Sequence, residues 1–238
     1  ENLAPGERVA ILLRNSVEWV CFDQAAQSLG LAVVPLYVTD NPENIAYILR
    51  DSDASALLLG NSEQWQALAP LRARFPRLAR VLCLERTATA VAGAGIELSF
   101  VADWLADGAE PMNAGDIDAH ALATIVYTSG TTGRPKGVML SHHNILSNAE
   151  AVLQLVPAYR EDLFLSFLPL SHTFERTVGY YLPIMTGSTV AYARSAQELA
   201  QDLLDIRPTL LVSVPRIYDR AYARVQQGLE KKGFAARK

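Results

Sequence analysis

A run of glycines, hydroxyl side chains and one lysine, from Tyr127 to Ser141, reads YTSGTTGRPKGVMLS. It follows the apolar run Leu122–Tyr127, which predicts a buried strand. Glycines let backbone N–H groups turn towards one point and let an anion approach closely, and the hydroxyls add further donors. Lys136 adds a full positive charge. The run therefore predicts a loop that holds phosphate.

The spacing excludes the P-loop of the common nucleotide hydrolases, which has four residues between a glycine and a Gly-Lys-Ser/Thr end. Here Gly130 and Gly133 are followed by Arg-Pro-Lys-Gly, and 138–140 predicts a short strand instead of an opening helix. The alternative is a surface turn with an incidental lysine. The stack of hydroxyls and glycines behind a buried strand favours the phosphate loop.

Apolar strands alternate with helices before this loop. Strands are predicted at 8–14, 31–38, 55–59 and 79–84, with Pro35 marking an edge or a bulge in the second. Helices are predicted to begin at Asn15, which has Glu18 as its capping-box partner, at Asn41 and at Asn61. The pattern indicates an α/β protein with mostly parallel sheets flanked by helices.

The same alternation resumes after the loop. Strands are predicted at 163–168, 188–193 and 209–214. Helices are predicted after Ser141, from His172, after the capping pair Ser195–Glu198 and from about Arg216. The helix from His172 carries one apolar stripe of Phe174, Val178, Tyr181 and Met185.

The segment 107–120 is rich in Gly, Pro, Asp and Asn and has no periodicity. It predicts a boundary between a sub-region at 1–112 and a second sub-region at 113–238, which carries the phosphate loop.

A second chemical feature follows the strand that ends near Leu168. Ligands on parallel sheets bind beyond the carboxyl ends of strands, so 169–176 is expected to converge with the phosphate loop. His172 and Phe174 would suit the wall of a substrate pocket. The alternative is that His172 only caps its helix and Phe174 fills core.

Composition sets broad limits. The chain has 238 residues, 50% of them hydrophobic, which is enough for a large core. A net charge of −4 gives no sign of nucleic-acid binding. Cys21 and Cys83 lie in apolar runs, which is typical of buried thiols in a reducing compartment, and no apolar run is long enough to cross a membrane. We therefore expect a cytoplasmic protein that does not bind nucleic acid.

The residues TSGTTGRPKG at 128–137, followed by SHHN at 141–144, resemble the phosphate-loop signature of the adenylate-forming superfamily. That superfamily includes acyl-CoA synthetases, luciferases and peptide-synthetase adenylation domains. The tract LSFLPLSHTFER at 165–176 resembles the corresponding tract of long-chain fatty acyl-CoA synthetases. GERVAILLRNSVEW at 6–19 and PLYVTDNPENIAYILRDSDA at 35–54 also match, so the resemblance covers essentially the whole chain.

The resemblance implies a two-step ligase. A carboxylate attacks the α-phosphate of ATP and gives acyl-adenylate and pyrophosphate, and the thiol of coenzyme A then displaces AMP. Mg²⁺ is implied with ATP, and Thr128 would be one of its oxygen ligands. The β- and γ-phosphates would be held by Thr128, Ser129, Gly130, Thr131, Thr132 and Gly133. Lys136 would act with Thr128 in catalysis, because its positive charge would stabilise the leaving pyrophosphate. His172 and Phe174 would border the long-chain acyl site.

Other segments of that superfamily have no counterpart here. The aromatic-Gly-x-Thr-Glu segment, the aspartate for the ribose and the C-terminal domain with its catalytic lysine are not found. We therefore expect an N-terminal fragment of a longer enzyme, inactive by itself, whose incomplete sheets expose edges that favour self-association. The alternatives are an enzyme that adenylates an aryl or amino acid, or a nucleotide-binding module without catalysis.

The last segment, 216–238, carries seven Lys/Arg against Asp219 and Glu230. A basic amphipathic helix would suit peripheral contact with the inner surface of an anionic membrane. The favoured alternative is a solvated helix whose basic face packs on another part of the protein.

Overall fold

The computed structural model describes residues 3–86, 96, 98–105, 115–128 and 133–231. The strands are β1 (Arg8–Leu12), β2 (Ala32–Pro35), β3 (Ala54–Leu59), β4 (Arg80–Cys83), β5 (Leu98–Phe100), β6 (Leu122–Thr128), β7 (Lys136–Ser141), β8 (Leu163–Ser166) and β9 (Thr189–Tyr192). The α-helices are α1 (Val17–Ser28), α2 (Pro42–Asp51), α3 (Ser62–Leu68), α4 (Val101–Trp104), α5 (His142–Leu155), α6 (Leu182–Thr186), α7 (Leu199–Ile206) and α8 (Pro215–Lys231). A 3₁₀-helix at Ala69–Arg74 follows α3, and a π-helix at Glu175–Tyr181 precedes α6.

Seven of these strands form one sheet in the order β5-β4-β3-β1-β2-β6-β7. All neighbours are parallel except β6 and β7, which form an antiparallel hairpin. Strands β8 and β9 form a second, parallel pair. The prediction of an α/β fold with mostly parallel sheets flanked by helices is confirmed.

Alternate side chains of β1 enter two different apolar clusters. Val9 and Ile11 pack in one cluster with Trp19 of α1, whereas Leu12 packs in the other with Trp65 of α3. Successive side chains of a strand point to opposite faces, so the central strand is covered on both sides. This explains why its sequence is apolar throughout instead of alternating.

The predicted helix starts at Asn41, Asn61 and Ser141 are confirmed. Each of these side chains accepts a hydrogen bond from the backbone N–H three residues further on. The pair Ser195–Glu198 is also hydrogen-bonded, but it closes a turn before α7, which itself begins at Leu199. Caps of this kind depend only on local sequence.

The prediction that Asn15 caps the first helix is wrong. The cap is Ser16, whose Oγ accepts a hydrogen bond from the Trp19 N–H at 3.2 Å. The Asn15 amide instead donates to Ser166 Oγ at 2.9 Å and to the Leu168 carbonyl at 2.7 Å. It therefore joins the end of β1 to the end of β8.

Two strand predictions need correction. Pro35 is the last residue of β2, which lies between β1 and β6 and not at an edge, and a proline is tolerated where the ladder ends. The segment 209–214 is not a strand, and only Leu210 forms a bridge, to Phe164. The N–H groups of residues 209 and 210 both donate to the Leu163 carbonyl, so the ladder is not continued.

The apolar stripe predicted for the helix after His172 is also wrong. Phe174 is 42% exposed and Met185 is 43% exposed. The helix begins at Thr173 and is a π-helix over Glu175–Tyr181, whose wider turn breaks the 3.6-residue repeat on which the prediction relied.

The division into 1–112 and 113–238 stays a prediction. Strands on both sides of it, β5 and β6, belong to the same seven-stranded sheet.

One of the two cysteines differs from its prediction, since Cys83 is buried but Cys21 is exposed.

A buried ion pair attaches the π-helix to the large sheet. Arg176 contacts the carboxylate of Asp23 on α1, and both side chains are almost fully buried. The Arg176 Nη1 also donates to Thr124 Oγ1 on β6 at 2.6 Å. The second carboxylate oxygen of Asp23 accepts from the Tyr180 hydroxyl at 2.8 Å and from Gln27 at 2.6 Å. One cluster of polar contacts thus connects α1, β6 and the π-helix.

We expect Asp23→Asn to lower the free energy of unfolding by about 3–5 kcal/mol, because it leaves the Arg176 charge buried without a counter-charge. The matched control is Asp53→Asn, which breaks the exposed ion pair to Arg8 and should change stability by less than about 1 kcal/mol. Asparagine also tolerates the left-handed backbone of residue 53. Urea unfolding of the two variants measures both values, and equal losses would contradict the prediction.

Candidate functional site

The predicted phosphate loop is the tip of the β6–β7 hairpin. Thr128 and Lys136 are the last paired residues of the ladder, and both are exposed. Gly133 has a φ of +85°, a left-handed conformation that strains other residues. Thr128, Gly133 and Lys136 therefore lie together at one end of the hairpin. The other four predicted phosphate ligands, Ser129, Gly130, Thr131 and Thr132, lie outside the described residues.

The base of the hairpin is fixed by Tyr127 and Gly137, which face each other across the ladder. A Cβ on Gly137 would lie 2.8 Å from Ile125 Cγ2 and 3.0 Å from the Tyr127 ring, so only glycine fits there without a shift. The Tyr127 hydroxyl donates to Asp51 of α2 at 2.7 Å. Burial and this carboxylate both raise the pKa of Tyr127, so the phenol stays a neutral donor that holds the hairpin on α2.

The segment with His172 and Phe174 reaches the same strand from the other side. Arg176, which follows it, donates to Thr124, four residues before Thr128 on β6. The Phe174 N–H donates to His172 Nδ1 at 3.2 Å, as the capping alternative for His172 predicts. Both side chains are exposed, which excludes the alternative that Phe174 fills core.

The two predicted parts of the site are thus joined through β6 and not by direct contact. No hydrogen bond or ion pair within the described ranges links His172 or Phe174 to Thr128 or Lys136. The link between them is the contact of Arg176 with Thr124.

A buried acid beneath this segment was not predicted. Glu175 is fully buried, its Oε1 accepts from Ser166 Oγ at 2.7 Å, and its Oε2 has no partner. Burial raises the pKa of Glu175 to about 7. Ser166 is in turn bonded to Asn15, so a chain of three side chains crosses from β1 to the π-helix. The sequence signal was weak, since a Glu-Arg pair inside a helical pattern is usually solvated.

A groove of about 610 Å³ opens between the two sheets. It lies where the chain leaves β1, β2, β8 and β9, and its walls include Asn15, Tyr37, Ser166, Ser171, Tyr192 and Arg194. Its size is in the range of small-molecule sites, and carboxyl ends of parallel strands are where such sites occur. Ser171 precedes His172, so the predicted substrate segment begins at the groove wall.

The described residues offer few groups for a metal ion. They contain no cluster of three or more His, Cys, Asp or Glu side chains that could hold one. Thr128 has an exposed hydroxyl at the end of β6 and can supply one oxygen ligand. This fits Mg²⁺, which takes few protein ligands where substrate phosphates provide others.

Among the described helices, none has the length and apolar character needed to cross a membrane. The last helix, α8, carries three exposed apolar side chains at helical spacing, Tyr218, Tyr222 and Val225. They form one exposed apolar face along α8.

The model of the AMP-binding enzyme family matches residues 1–238. The peroxisomal long chain acyl-CoA synthetase 6 of Arabidopsis thaliana is 31% identical over 96% of this chain and 33% of its own length. The long-chain-fatty-acid–CoA ligase 5 of Rattus norvegicus is 32% identical over 92% of this chain and 34% of its own length. The chain therefore spans about a third of the length of these curated relatives.

A solved structure shares the fold. The ATP-bound structure of MatB from Rhodopseudomonas palustris superposes with a TM-score of 0.75 at 27% identity, over 92% of this chain and 41% of that one. The arrangement of a parallel sheet between helices is thus the one found in this part of adenylate-forming enzymes.

We expect Gly137→Ala to destabilise the protein by about 1–3 kcal/mol, because the added methyl group overlaps Ile125 and the Tyr127 ring. Gly60→Ala is the control, since a Cβ there meets only ordinary contacts at 3.4 Å or more. The free energy of unfolding of each variant checks this. If Gly137→Ala lowered the free energy of unfolding no more than the control does, the hairpin would have accommodated the methyl group, and the prediction would be wrong.

We expect Glu175→Gln to change how stability depends on pH. The folded pKa of about 7 lies above the ordinary value of 4.5, so the proton stabilises the folded state fully below pH 4.5. That stabilisation, about 3 kcal/mol, is lost as the pH rises to about 7. The glutamine cannot ionise, so wild type should lose stability relative to this variant over that window. Urea unfolding from pH 4 to 8 measures the difference, with the exposed Glu150→Gln as the control that should run parallel to wild type.

Proposed function

Because this chain belongs to the family of AMP-binding enzymes, we propose that it is part of a ligase that activates a long-chain fatty acid and transfers it to coenzyme A. The observation that carries the proposal is the hairpin that sets Thr128 opposite Lys136 around the glycine-rich tip. Support for the substrate comes from relatives named for long-chain acids at 31% and 32% identity.

The first half-reaction needs positioning more than proton transfer. The carboxylate oxygen forms a bond to the α-phosphorus of ATP while the bond from that phosphorus to the pyrophosphate oxygen breaks. The attacking acid is already ionised at neutral pH, so no strong base is required. The protein must hold the reactants in line and stabilise the charge that grows on the leaving pyrophosphate. In the second half-reaction the thiol of coenzyme A forms the thioester, and AMP leaves.

The hairpin tip is suited to the charged end of ATP. We assign the β- and γ-phosphates to Thr128, residues 129–132 and Gly133. The positive φ of Gly133 turns the backbone at the tip, and Lys136 places an exposed ammonium at its base. Lys136 stabilises the leaving pyrophosphate in this scheme, and Thr128 supports it from the opposite strand.

Thr128 would also hold Mg²⁺ by its hydroxyl. When bound, the ion supplies charge neutralisation to the phosphates. The fit rests on the exposed oxygen of Thr128 at the end of β6.

We assign the acyl site to the segment with His172 and Phe174. Phe174 is 42% exposed, so part of its surface is available to contact an apolar chain. The adjoining groove has room for a small molecule.

Peripheral membrane contact of α8 is a further proposal, supported by the exposed apolar face at Tyr218, Tyr222 and Val225. Self-association through sheet edges is another, supported by the edge strand β7 with its exposed Val138 and Met139.

We expect the intact protein to release pyrophosphate with palmitate and ATP, and to form palmitoyl-CoA when coenzyme A is added. Lys136→Ala should slow acyl-adenylate formation by about 10²–10³-fold, because it removes one preorganised charge from the leaving group. Lys136→Arg should retain part of the rate, and Arg160→Gln, a loss of an exposed charge elsewhere, should retain all of it.

A panel of aryl and amino acids in the same assay tests the substrate class. Activation of such an acid in preference to palmitate would show that the substrate is that acid and not a fatty acid. ATP binding without any pyrophosphate release from the intact protein would indicate a nucleotide-binding module and overturn the ligase. His172→Ala should raise the KM for the fatty acid and leave the KM for ATP unchanged if the acyl site is correctly placed.

A further inference from the structure

A second, smaller pocket lies beside the hairpin and outside the phosphate loop. Its volume is about 190 Å³, and it is formed by α2, the end of the 3₁₀-helix and residues 134–135. Three arginines line it, Arg50, Arg74 and Arg134, together with Tyr47 and the single carboxylate of Glu43. Three guanidinium groups against one carboxylate give the pocket a charge of +2.

These arginines form no ion pair in the part of the chain that the structure describes. Neither an ion pair nor a hydrogen bond to a carboxylate involves Arg50, Arg74 or Arg134. Arg77, in the same region of the chain, is instead paired with Glu7 at 2.5 Å. Asp51, next in sequence to Arg50, instead accepts from the hydroxyls of two tyrosines, Tyr127 and Tyr47.

The arginines are also held in place. The Arg134 guanidinium lies over the Tyr47 ring, 5.8 Å from its centre. This cation–π contact restrains the guanidinium where it lines the pocket. Arg50 belongs to α2 and Arg74 ends the 3₁₀-helix, so the backbone positions of both are set by packed elements. Unpaired guanidinium groups repel one another, and a bound anion would relieve that repulsion.

We propose that this pocket binds a condensed inorganic phosphate, with pyrophosphate as its ligand. Guanidinium forks match phosphate oxygens in paired hydrogen bonds, and three of them suit an anion with several charges. A volume of about 190 Å³ is below the range of about 300–1,000 Å³ typical of drug-sized ligands, which favours an anion smaller than a whole nucleotide. The pocket is thus a second anion site, distinct from the loop.

The position of the pocket gives pyrophosphate a role. Arg134 lies two residues before Lys136, at which β7 begins, so the pocket adjoins the loop from which the product would be released. The choice of pyrophosphate as the biological ligand rests on the proposed ligase activity, whereas anion binding itself does not.

The test is calorimetric titration of the intact protein with pyrophosphate, in saturating Mg·ATP and without an acid substrate, so that the loop stays occupied. We expect pyrophosphate to bind under these conditions, and Arg50→Gln/Arg74→Gln to weaken that binding by about tenfold to a hundredfold. Lys136→Ala, titrated without ATP, should retain this binding. Circular dichroism and the unfolding temperature confirm that each variant is folded.

The matched control is Arg160→Gln/Arg216→Gln, which removes two exposed arginines away from the pocket. If pyrophosphate binding weakened equally in this control, the effect would come from net charge alone, and the proposed site would be overturned. Full displacement of pyrophosphate by ATP would assign all binding to the loop, which also overturns it. Inorganic phosphate that binds as tightly as pyrophosphate would contradict the preference for a condensed phosphate. An intact protein that binds pyrophosphate here but makes no acyl-adenylate would keep the site and reject the ligase.

Discussion

The buried contact between Arg176 and Asp23 sets the relation between the two halves of the candidate site. A guanidinium cannot lose its proton inside a protein, so once buried it must find a counter-charge and acceptors. Arg176 finds the carboxylate on α1 and the Thr124 hydroxyl on β6. The strand that ends at Thr128 and the helix that follows His172 are therefore fixed to one another through the interior and not at the surface.

The π-helix follows from the same constraint. Its wider turn brings Arg176 and Tyr181, which are five residues apart, to the buried face together, where both contact Asp23. Gly179 is needed inside this turn, because a Cβ there would lie 2.5 Å from the carboxyl oxygen Oε1 of Glu175. Glu175 fills that space, and since one of its oxygens has no partner, its charged form is disfavoured. A close approach of Gly179 to Glu175 and a raised pKa of Glu175 thus accompany the helix that carries the substrate segment.

The sequence predicts the parts of this fold whose partners are close along the chain. The cap at Asn61 is predictable because its partner is three residues away, and the strand after the phosphate loop because it pairs with the strand just before that loop. Asn15 was assigned the wrong role because its three partners, at 166, 168 and 170, are more than 150 residues away. The helix after His172 was given the wrong buried face for a similar reason, since a distant carboxylate decides which side of it is inside.

The positive charge of the candidate site could not be predicted from the net charge of the whole chain either. The whole chain is acidic, at −4, which by itself argues against a site for polyanions. At physiological salt, however, exposed charges act over only about 8 Å, so a bound phosphate responds to its immediate neighbours. Around the hairpin those neighbours are Lys136, Arg134, Arg50 and Arg74, of which the three arginines have no carboxylate partner among the described residues. The acidic remainder favours solubility, while hairpin and pocket keep the local positive potential that a polyphosphate requires.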